Sequence, residues 1–536
     1  MRIIYKNECF DSEELDRWVD NTINLNSVRS IAVIMNRSPQ LIWLLYRAYC
    51  QGVTFIPIDP KEHREKINHI LNQTQPDTII CDNNKYEYEQ NKSYDYNNVA
   101  YVLFTSGTTG GPKGVLVKKN SIENFILGLS ELIDFSEFKK IISLTSISFD
   151  IFFIESIMAI LKNMTIVLSD EDEQANPRAI NRLLMENNVD IVQLTPSRLQ
   201  MLLNYDPELS GLKTVTDILI GGEALSINLL YVLQKKTNAR IFHMYGPTET
   251  TIWSTVSDLT NSNTVNIGHP IKNTEIYIVD ENLTILPNGK KGEICIAGAG
   301  LALGYINNNE LTSKKFVFLP QNGTRVYKTG DLGRRQNDGT LEWCGRIDNQ
   351  IKLRGHRVEL EEIESVINQF EGIHQSLVGM HNRGDYVQEL YAFFSSSESI
   401  DADKIKKHLR RYFPEYMIPN KIQRVDSFVQ NINGKIDRQY YSNMFDATNK
   451  PRYADPILSN KVIQIIQENS NTNDVDIDIN VSFVDIGYDS LSFIKAIVAL
   501  EREFKIEFDD SFLLLSNYQT VGDLVTYVNK ITDLNK

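Results

Sequence analysis

Tyr101-Val-Leu-Phe-Thr-Ser-Gly-Thr-Thr-Gly-Gly-Pro-Lys-Gly-Val is the stretch on which the reading of this sequence turns. The apolar run at 99–104 predicts a strand that feeds into Thr105. A second apolar run at 115–117 predicts another strand just past Lys113. Between them, Gly107, Gly110 and Gly111 free the backbone to curl its N–H groups around anionic oxygens. Thr105, Ser106, Thr108 and Thr109 add hydroxyl donors, and Lys113 adds a positive charge. The pattern is that of a phosphate-binding loop but not of a Walker A loop. Pro112 stands where that motif needs glycine, and a strand-like segment follows where a helix would be required.

Outward from this loop, strand and helix signals alternate. Residues 30–35 are a short apolar run, followed by helical spacing through Leu41, Leu44 and Leu45. Residues 55–58 and 78–80 are further strands, with Ile67, Ile70 and Leu71 at helical spacing between them. A second series of the same kind runs over 141–245, and 265–345 is richer in short strands and turns such as Pro287-Asn288-Gly289. Residues 83–98 form a polar loop, and 370–438 reads as a smaller α+β unit. Pro451 and Pro456 in polar company mark a linker. Beyond it the periodicity is helical only, with Val462, Ile465 and Ile466 on one face and Leu491, Ile494, Ile497 and Leu500 on another. The expected fold class is multidomain: a large α/β N-terminal part, a small α+β part and an all-α C-terminal part.

Composition narrows the function classes. The chain has 536 residues, 55 Lys plus Arg against 69 Asp plus Glu, and a net charge of -14. So acidic a chain is a poor nucleic-acid binder. Cys9, Cys50, Cys81, Cys295 and Cys344 are odd in number and contain no CxxC pair, so neither a zinc site nor a disulfide framework is implied. The N-terminus lacks the apolar core of a signal peptide. The most apolar stretch, 151–161, is too short for a membrane span and is interrupted by Glu155. The expectation is a cytoplasmic protein with no membrane or nucleic-acid partner.

The phosphate loop resembles the signature of the AMP-forming adenylating superfamily. So do five further motifs in the family's order: Met244-Tyr-Gly-Pro-Thr-Glu-Thr-Thr, Gly292-Glu-Ile-Cys-Ile-Ala-Gly-Ala-Gly, Tyr327-Lys-Thr-Gly-Asp, Gly345-Arg-Ile-Asp-Asn-Gln-Ile-Lys-Leu-Arg-Gly-His-Arg-Val-Glu and Asn433-Gly-Lys-Ile-Asp-Arg. The last two are similar to the nonribosomal peptide synthetase branch. The resemblance implies domains at 1–347 (adenylation N-terminal subdomain), 348–446 (adenylation C-terminal subdomain), 447–460 (linker) and 461–536 (a four-helix peptidyl carrier). It also implies site roles. Residues 105–110 (Thr105, Ser106, Gly107, Thr108, Thr109 and Gly110) would bind ATP together with Gly222, Glu223, Tyr245, Thr248, Asp331 and Arg346. Tyr245 would lie on the adenine ring, and Asp331 and Arg346 would meet the ribose. Lys113, Glu249 and Lys435 would be catalytic, with Glu249 on Mg²⁺, a hard cation that prefers carboxylate oxygen. Lys435 would touch both the substrate carboxylate and the α-phosphate. Asp348 would be the hinge between the two adenylation subdomains. His243 and Trp343 depart from the family's common choices near adenine and ribose.

Phe483-Val-Asp-Ile-Gly-Tyr-Asp-Ser-Leu resembles the phosphopantetheine attachment motif, with Ser490 as the modified residue. Serine at this position would also cap a helix beginning at Leu491. Tyr488 stands where Gly or His is usual, with an expected effect on partner recognition.

Asp150 matches the family position at which α-amino-acid enzymes meet the substrate ammonium. The family's pocket positions fall on Asp150, Ile151, Ile154, Gln193, Leu219, Gly221, Met244, Ile252, Trp253 and Lys435, an order that resembles the glycine-selective pattern. The bulk of Ile, Gln, Met and Trp agrees, since together they fill the volume a side chain needs. Alanine is the competing substrate. The implied cofactors are ATP, Mg²⁺ and 4′-phosphopantetheine. The implied partners are a small amino acid, a phosphopantetheinyl transferase and a downstream condensation or acyl-accepting enzyme in trans. A silent scaffold that binds nucleotide and presents a carrier is the alternative from another class, and an acyl-CoA synthetase is disfavoured by Asp150.

Overall fold

Val99–Thr105 and Lys113–Lys118 pair antiparallel, with Thr105 opposite Lys113. The strand is buried over 99–103, as the unbroken apolar run requires of a strand covered on both faces. It belongs to a five-stranded sheet in the order Thr78–Cys81, Ser30–Ile34, Thr54–Pro57, Val99–Thr105, Lys113–Lys118. All its pairings but the last are parallel. The computed structural model describes residues 2–82, 86, 94–105, 112–347, 350–353, 356–383, 387–396, 398, 400–429, 436–449, 456–469, 481, 483, 488, 490–506, 508, 518 and 520–534. These fall into two compact units, Met1–Phe428 and Val429–Lys536.

Within the first unit, the second strand-and-helix series forms a nine-stranded sheet. Its parallel centre runs Arg240–Tyr245, Asp217–Gly221, Ile191–Leu194, Lys140–Ser143, Thr165–Leu168, Arg2–Tyr5. The intervening helices start where the sequence caps them. Asn176 and Thr195 accept N–H bonds ahead of Pro177–Asn187 and Pro196–Tyr205, each with proline in its first turn, and Ser226 caps Ile227–Lys236. Antiparallel strands Thr274–Val279, Gly292–Gly298, Phe316–Phe318, Arg325–Arg335 and Leu341–Arg346 make a third sheet. Residues 350–428 add the hairpin Gln350–Leu353/His356–Glu359, a three-stranded sheet and the helices Leu360–Asn368 and Ala402–Leu409. Among the described residues, no helix is long and apolar enough to cross a membrane.

The second unit holds helices Arg438–Asn449, Pro456–Glu468, Ser490–Phe504 and Val521–Leu534. Among the described residues, three of these helices lie wholly or mostly within 456–536. The expected linker at 447–460 is corrected at both ends, because helices occupy 447–449 and 456–460. Pro456 opens a helix at its first position, where proline's missing N–H costs nothing, so it is not loop punctuation here. The apolar face of Ser490–Phe504 is also corrected. Phe493, Ala496, Ile497 and Leu500 are buried, whereas Ile494 is half exposed. Tyr488 is 6% exposed. Its ring packs on Phe483 in the carrier core, and its hydroxyl donates to the Ile466 carbonyl at 2.6 Å.

Candidate active site

The ends of both large sheets, the turn at Thr248–Thr250 and the hairpin at 350–359 converge on one cavity of about 1140 Å³. This exceeds the roughly 300–1,000 Å³ of an ordinary small-molecule site. Asp150, Ile151, Gln193 and Trp253 line one part of it. Thr105, Gly222, Tyr245, Thr248, Asp331 and Arg346 also line it, as do Lys352 and His356 of the hairpin.

Asp331 gathers the nucleotide side. Its Oδ1 accepts from Arg346 Nη1 at 2.8 Å and from Trp343 Nε1 at 3.1 Å, and its Oδ2 accepts from the Tyr245 hydroxyl at 2.8 Å. Three donors fix the direction of this carboxylate. Trp343, a departure from the usual residue, thus contributes a donor that Phe lacks. His243 lies elsewhere, with Nδ1 at 2.7 Å from the Asn266 carbonyl, and burial lowers its pKa. It is a neutral sheet residue without a place in the cavity lining.

At the phosphate side, Lys113 is buried and sits 3.6 Å from the equally buried Glu359. Its ammonium also lies 5.8 Å from the centre of the Tyr305 ring, whose hydroxyl donates to Glu249 Oε1 at 2.7 Å. Glu249 is fully buried, one residue from the cavity-lining Thr248. The Thr105 hydroxyl is buried with no hydrogen-bond partner among the described residues. Ser106, Gly107, Thr108, Thr109 and Gly110 lie outside the described residues, as do Lys435 and the hinge candidate Asp348. Glu223 is buried, and its Oε2 accepts the Ser197 N–H at 2.9 Å, tying the segment just past Asp217–Gly221 to the start of the earlier helix Pro196–Tyr205.

Asp150 is 9% exposed. Desolvation pushes its carboxyl above the ordinary carboxylate range, opposed by hydrogen bonding from the Thr248 side chain. A buried carboxylate of this kind favours a cationic partner. Around it, the expected pocket residues divide into two groups. Ile151, Gln193 and Trp253 line the cavity. Ile154, Leu219, Met244 and Ile252 do not, and belong to the main apolar core behind that wall. Gly221 is a place of close approach. A Cβ there would stand 2.7 Å from the Trp253 ring and 2.7 Å from the Met244 carbonyl oxygen, so the indole presses directly against the backbone. Gly222, at φ +86°, takes a left-handed turn at the cavity edge. The segment that delivers Trp253 is strained, since Thr251 and Ile252 adopt φ values of +68° and +65°, rare for β-branched residues.

Lys352, His356 and Glu359 carry no assigned role in the sequence reading, although all three stand in the quoted Gly345-to-Glu359 motif. The hairpin between Gln350–Leu353 and His356–Glu359 brings them to the site. The His356 ring meets Phe149 edge-on at 4.8 Å and stacks on Tyr416 at 3.8 Å.

Ser490 is the first residue of the helix Ser490–Phe504.

Comparison with known proteins agrees with this layout. Residues 82–306 match the model of the AMP-binding enzymes, and 460–528 match that of the phosphopantetheine attachment site. Zwittermicin A synthase ZmaJ of Bacillus cereus is 31% identical over 82% of this chain and 90% of its own length. A dimodular nonribosomal peptide synthase of Bacillus subtilis (strain 168) is 32% identical over 76% of the chain, and the match spans only 18% of that protein. Among solved structures, the four-domain synthetase AB3403, bound to AMP and glycine, superimposes with a TM-score of 0.58 at 27% identity, covering 97% of this chain and 41% of its own. PA1221, with adenylation and carrier domains, shares the fold at a TM-score of 0.71 and 23% identity, covering 99% and 94%. With its own phosphopantetheine attachment domain, the chain belongs to the AMP-forming adenylating enzymes of the nonribosomal peptide synthetases.

Proposed function

We propose that this protein activates glycine with Mg·ATP and loads it onto its own carrier domain. The observation that carries the reading is the single cavity in which a buried aspartate, Asp150, shares walls with the Tyr245–Asp331–Arg346 group. One end suits an α-ammonium and the other a ribose. The substrate carboxylate then attacks the α-phosphate, giving aminoacyl-AMP and pyrophosphate. Lys113 and Lys435 offset the charge gathered there. Glu249 supplies carboxylate oxygen to Mg²⁺, a cation that binds through one or two carboxylates plus substrate phosphates. The 4′-phosphopantetheine arm on Ser490 supplies, when attached, the thiol that takes the acyl group. Asp348 is the proposed hinge. A phosphopantetheinyl transferase and a downstream acyl-accepting enzyme are the proposed partners, and the domains run as 1–347, 348–446 and a carrier at the C-terminus.

Glycine is favoured by the bulk of Ile151, Gln193 and Trp253 on the cavity wall beside Asp150, with Trp253 packed directly against Gly221. The glycine bound by AB3403 is in keeping with this. The test is pyrophosphate exchange with glycine, alanine, serine, valine and phenylalanine. Glycine is expected first and alanine next, and a preference for valine or phenylalanine would refute the pocket reading. Mass mapping after treatment with coenzyme A and a phosphopantetheinyl transferase should place the added arm on Ser490 and lose it in Ser490→Ala.

A further inference from the structure

The wall of the cavity that ends in Asp150 is a loop, 144–151, between the strand Lys140–Ser143 and a short π-helix, Ile154–Met158. Thr145, Ser146, Ser148, Phe149, Asp150 and Ile151 of this loop line the cavity. A loop exposed on one side to a cavity needs its shape fixed from behind. Two fully or nearly fully buried charged residues stand there, and neither lines the cavity.

Glu155 is 0% exposed. Its Oε2 accepts the N–H groups of Leu144 and Thr145, both at 2.8 Å, and its Oε1 accepts the Thr145 hydroxyl at 2.7 Å. It lies within the π-turn, whose extra residue re-aims side chains and which occurs often at functional sites. Arg37, 4% exposed, takes carbonyls from the same stretch of backbone. Its Nη2 donates to the Ser143 carbonyl at 2.7 Å and the Ser143 hydroxyl at 2.9 Å, and its Nη1 donates to the Thr145 carbonyl. Its Nε donates to the Ser169 carbonyl of the neighbouring strand at 2.9 Å. The backbone of residues 143–145 therefore lies between an anion that takes the N–H groups of Leu144 and Thr145 and a cation that takes the carbonyls of Ser143 and Thr145. The far end of the loop is closed by the Phe153 N–H on the Asp150 carbonyl at 2.9 Å.

We propose that Glu155 and Arg37 are positioning residues for amino-acid recognition, locking loop 144–151 so that Asp150 is held in the orientation that meets the substrate ammonium. This rests on the reading of Asp150 given above. Charged groups serve here because each forms several strong bonds with backbone groups that a neutral side chain would hold more weakly. A carboxylate misplaced by about 1 Å can cost on the order of 10²-fold in rate.

The test is pyrophosphate exchange with the full chain, reading KM for amino acid and for ATP separately. Glu155→Ala should raise the amino-acid KM roughly 10- to 100-fold on this basis, with the ATP KM unchanged. Glu155→Gln, which keeps an acceptor oxygen for the two N–H groups, should recover much of the loss. In an Asp150→Ala background, Glu155→Ala should add nothing to the amino-acid KM, because its effect passes through Asp150. Equal rises in both KM values, or a full additive loss in the double variant, would overturn the proposal. Should Glu155→Ala fail to fold, Arg37→Lys decides. It keeps the charge but loses the fork, and an amino-acid KM that stays at the wild-type value overturns the proposal equally. An Asp150→Ala variant with unchanged amino-acid KM would overturn the reading of Asp150 itself. A raised KM there with no effect from Glu155→Ala would overturn the positioning role alone.

Discussion

Glu359→Gln separates the two half-reactions. Lys113 stands at the end of the phosphate loop, yet its ammonium lies 3.6 Å from Glu359, with both side chains almost wholly buried. At an effective dielectric constant of about 20, unit charges at this separation attract by roughly 4–5 kcal/mol. Removing one member of a buried pair typically costs about 3–5 kcal/mol. Lys113 cannot give that full interaction to Glu359 and to the triphosphate at the same time. The hairpin arrangement with Glu359 on Lys113 thus suits the step after pyrophosphate has left. In Glu359→Gln the amide keeps the shape and can still accept from Gln350, whose side chain bonds Glu359 in the parent. Even a third of the lost attraction, about 1.4 kcal/mol, is tenfold in an equilibrium. Transfer of preformed aminoacyl-AMP to the holo-carrier should therefore slow about tenfold or more in single-turnover assays. Pyrophosphate exchange should be unchanged or faster, with an equal or lower ATP KM. A folded Glu359→Gln protein that loses both half-reactions alike, or neither, would refute this reasoning.

Three further outcomes are expected. Tyr245→Phe removes a 2.8 Å bond to the Asp331 carboxylate. A bond to a charged group is worth about 1.5–3 kcal/mol, so ATP KM should rise roughly ten- to hundredfold in exchange assays, and a change below threefold would count against a role for Asp331 in nucleotide binding. Because desolvation raises the Asp150 carboxyl above its ordinary value, it is protonated and stops pairing with ammonium at a higher pH than an exposed aspartate. The amino-acid KM should then climb on acidification, and Asp150→Asn should flatten that limb while raising KM at neutral pH. Shortening Trp253 to Leu should raise alanine relative to glycine by about 10- to 200-fold, the scale for one carbon, and an unchanged ratio would show that the indole does not set the limit.

The motif-borne part of the site was legible because it is local. The Thr105-to-Lys113 turn is a hairpin connection whose ends meet by register, and Asp331 and Arg346 face each other across adjacent strands. What spacing does not reveal is which side of a strand or wall a residue takes. Along Arg240–Tyr245, alternation sends Phe242 and Met244 into the main core, Ile241 into the cluster on the other face and Tyr245 to the cavity. His243 shares the parity of Tyr245 but is taken up by the Asn266 carbonyl before it can reach a ligand. Met244, Leu219, Ile154 and Ile252 shape the pocket only through the layer in front of them. Pro456 was misread for a related reason, since a proline in polar company looks the same from sequence whether it opens a helix or breaks one. The Arg37–Glu155 arrangement could not be seen at all, because its two charged partners are 118 residues apart and meet the backbone of the same residue, Thr145, only in the folded chain.

The left-handed pair at Thr251 and Ile252 has a consequence for anyone who evolves this protein toward robustness. Each such residue costs on the order of 1–3 kcal/mol, a sizeable share of the roughly 5–15 kcal/mol that holds a typical fold together. Glycine at either position would relieve that cost, but it would also strip the buried Ile252 side chain from the main core, a loss of about 2–5 kcal/mol, or the Thr251 hydroxyl from the Gly300 carbonyl at 2.7 Å, so a selection that reads only melting temperature should keep both residues. The same changes would slacken the tether of Trp253 and blur discrimination between small amino acids. Thermostable descendants of this enzyme should accordingly retain the strained pair and, with it, the discrimination.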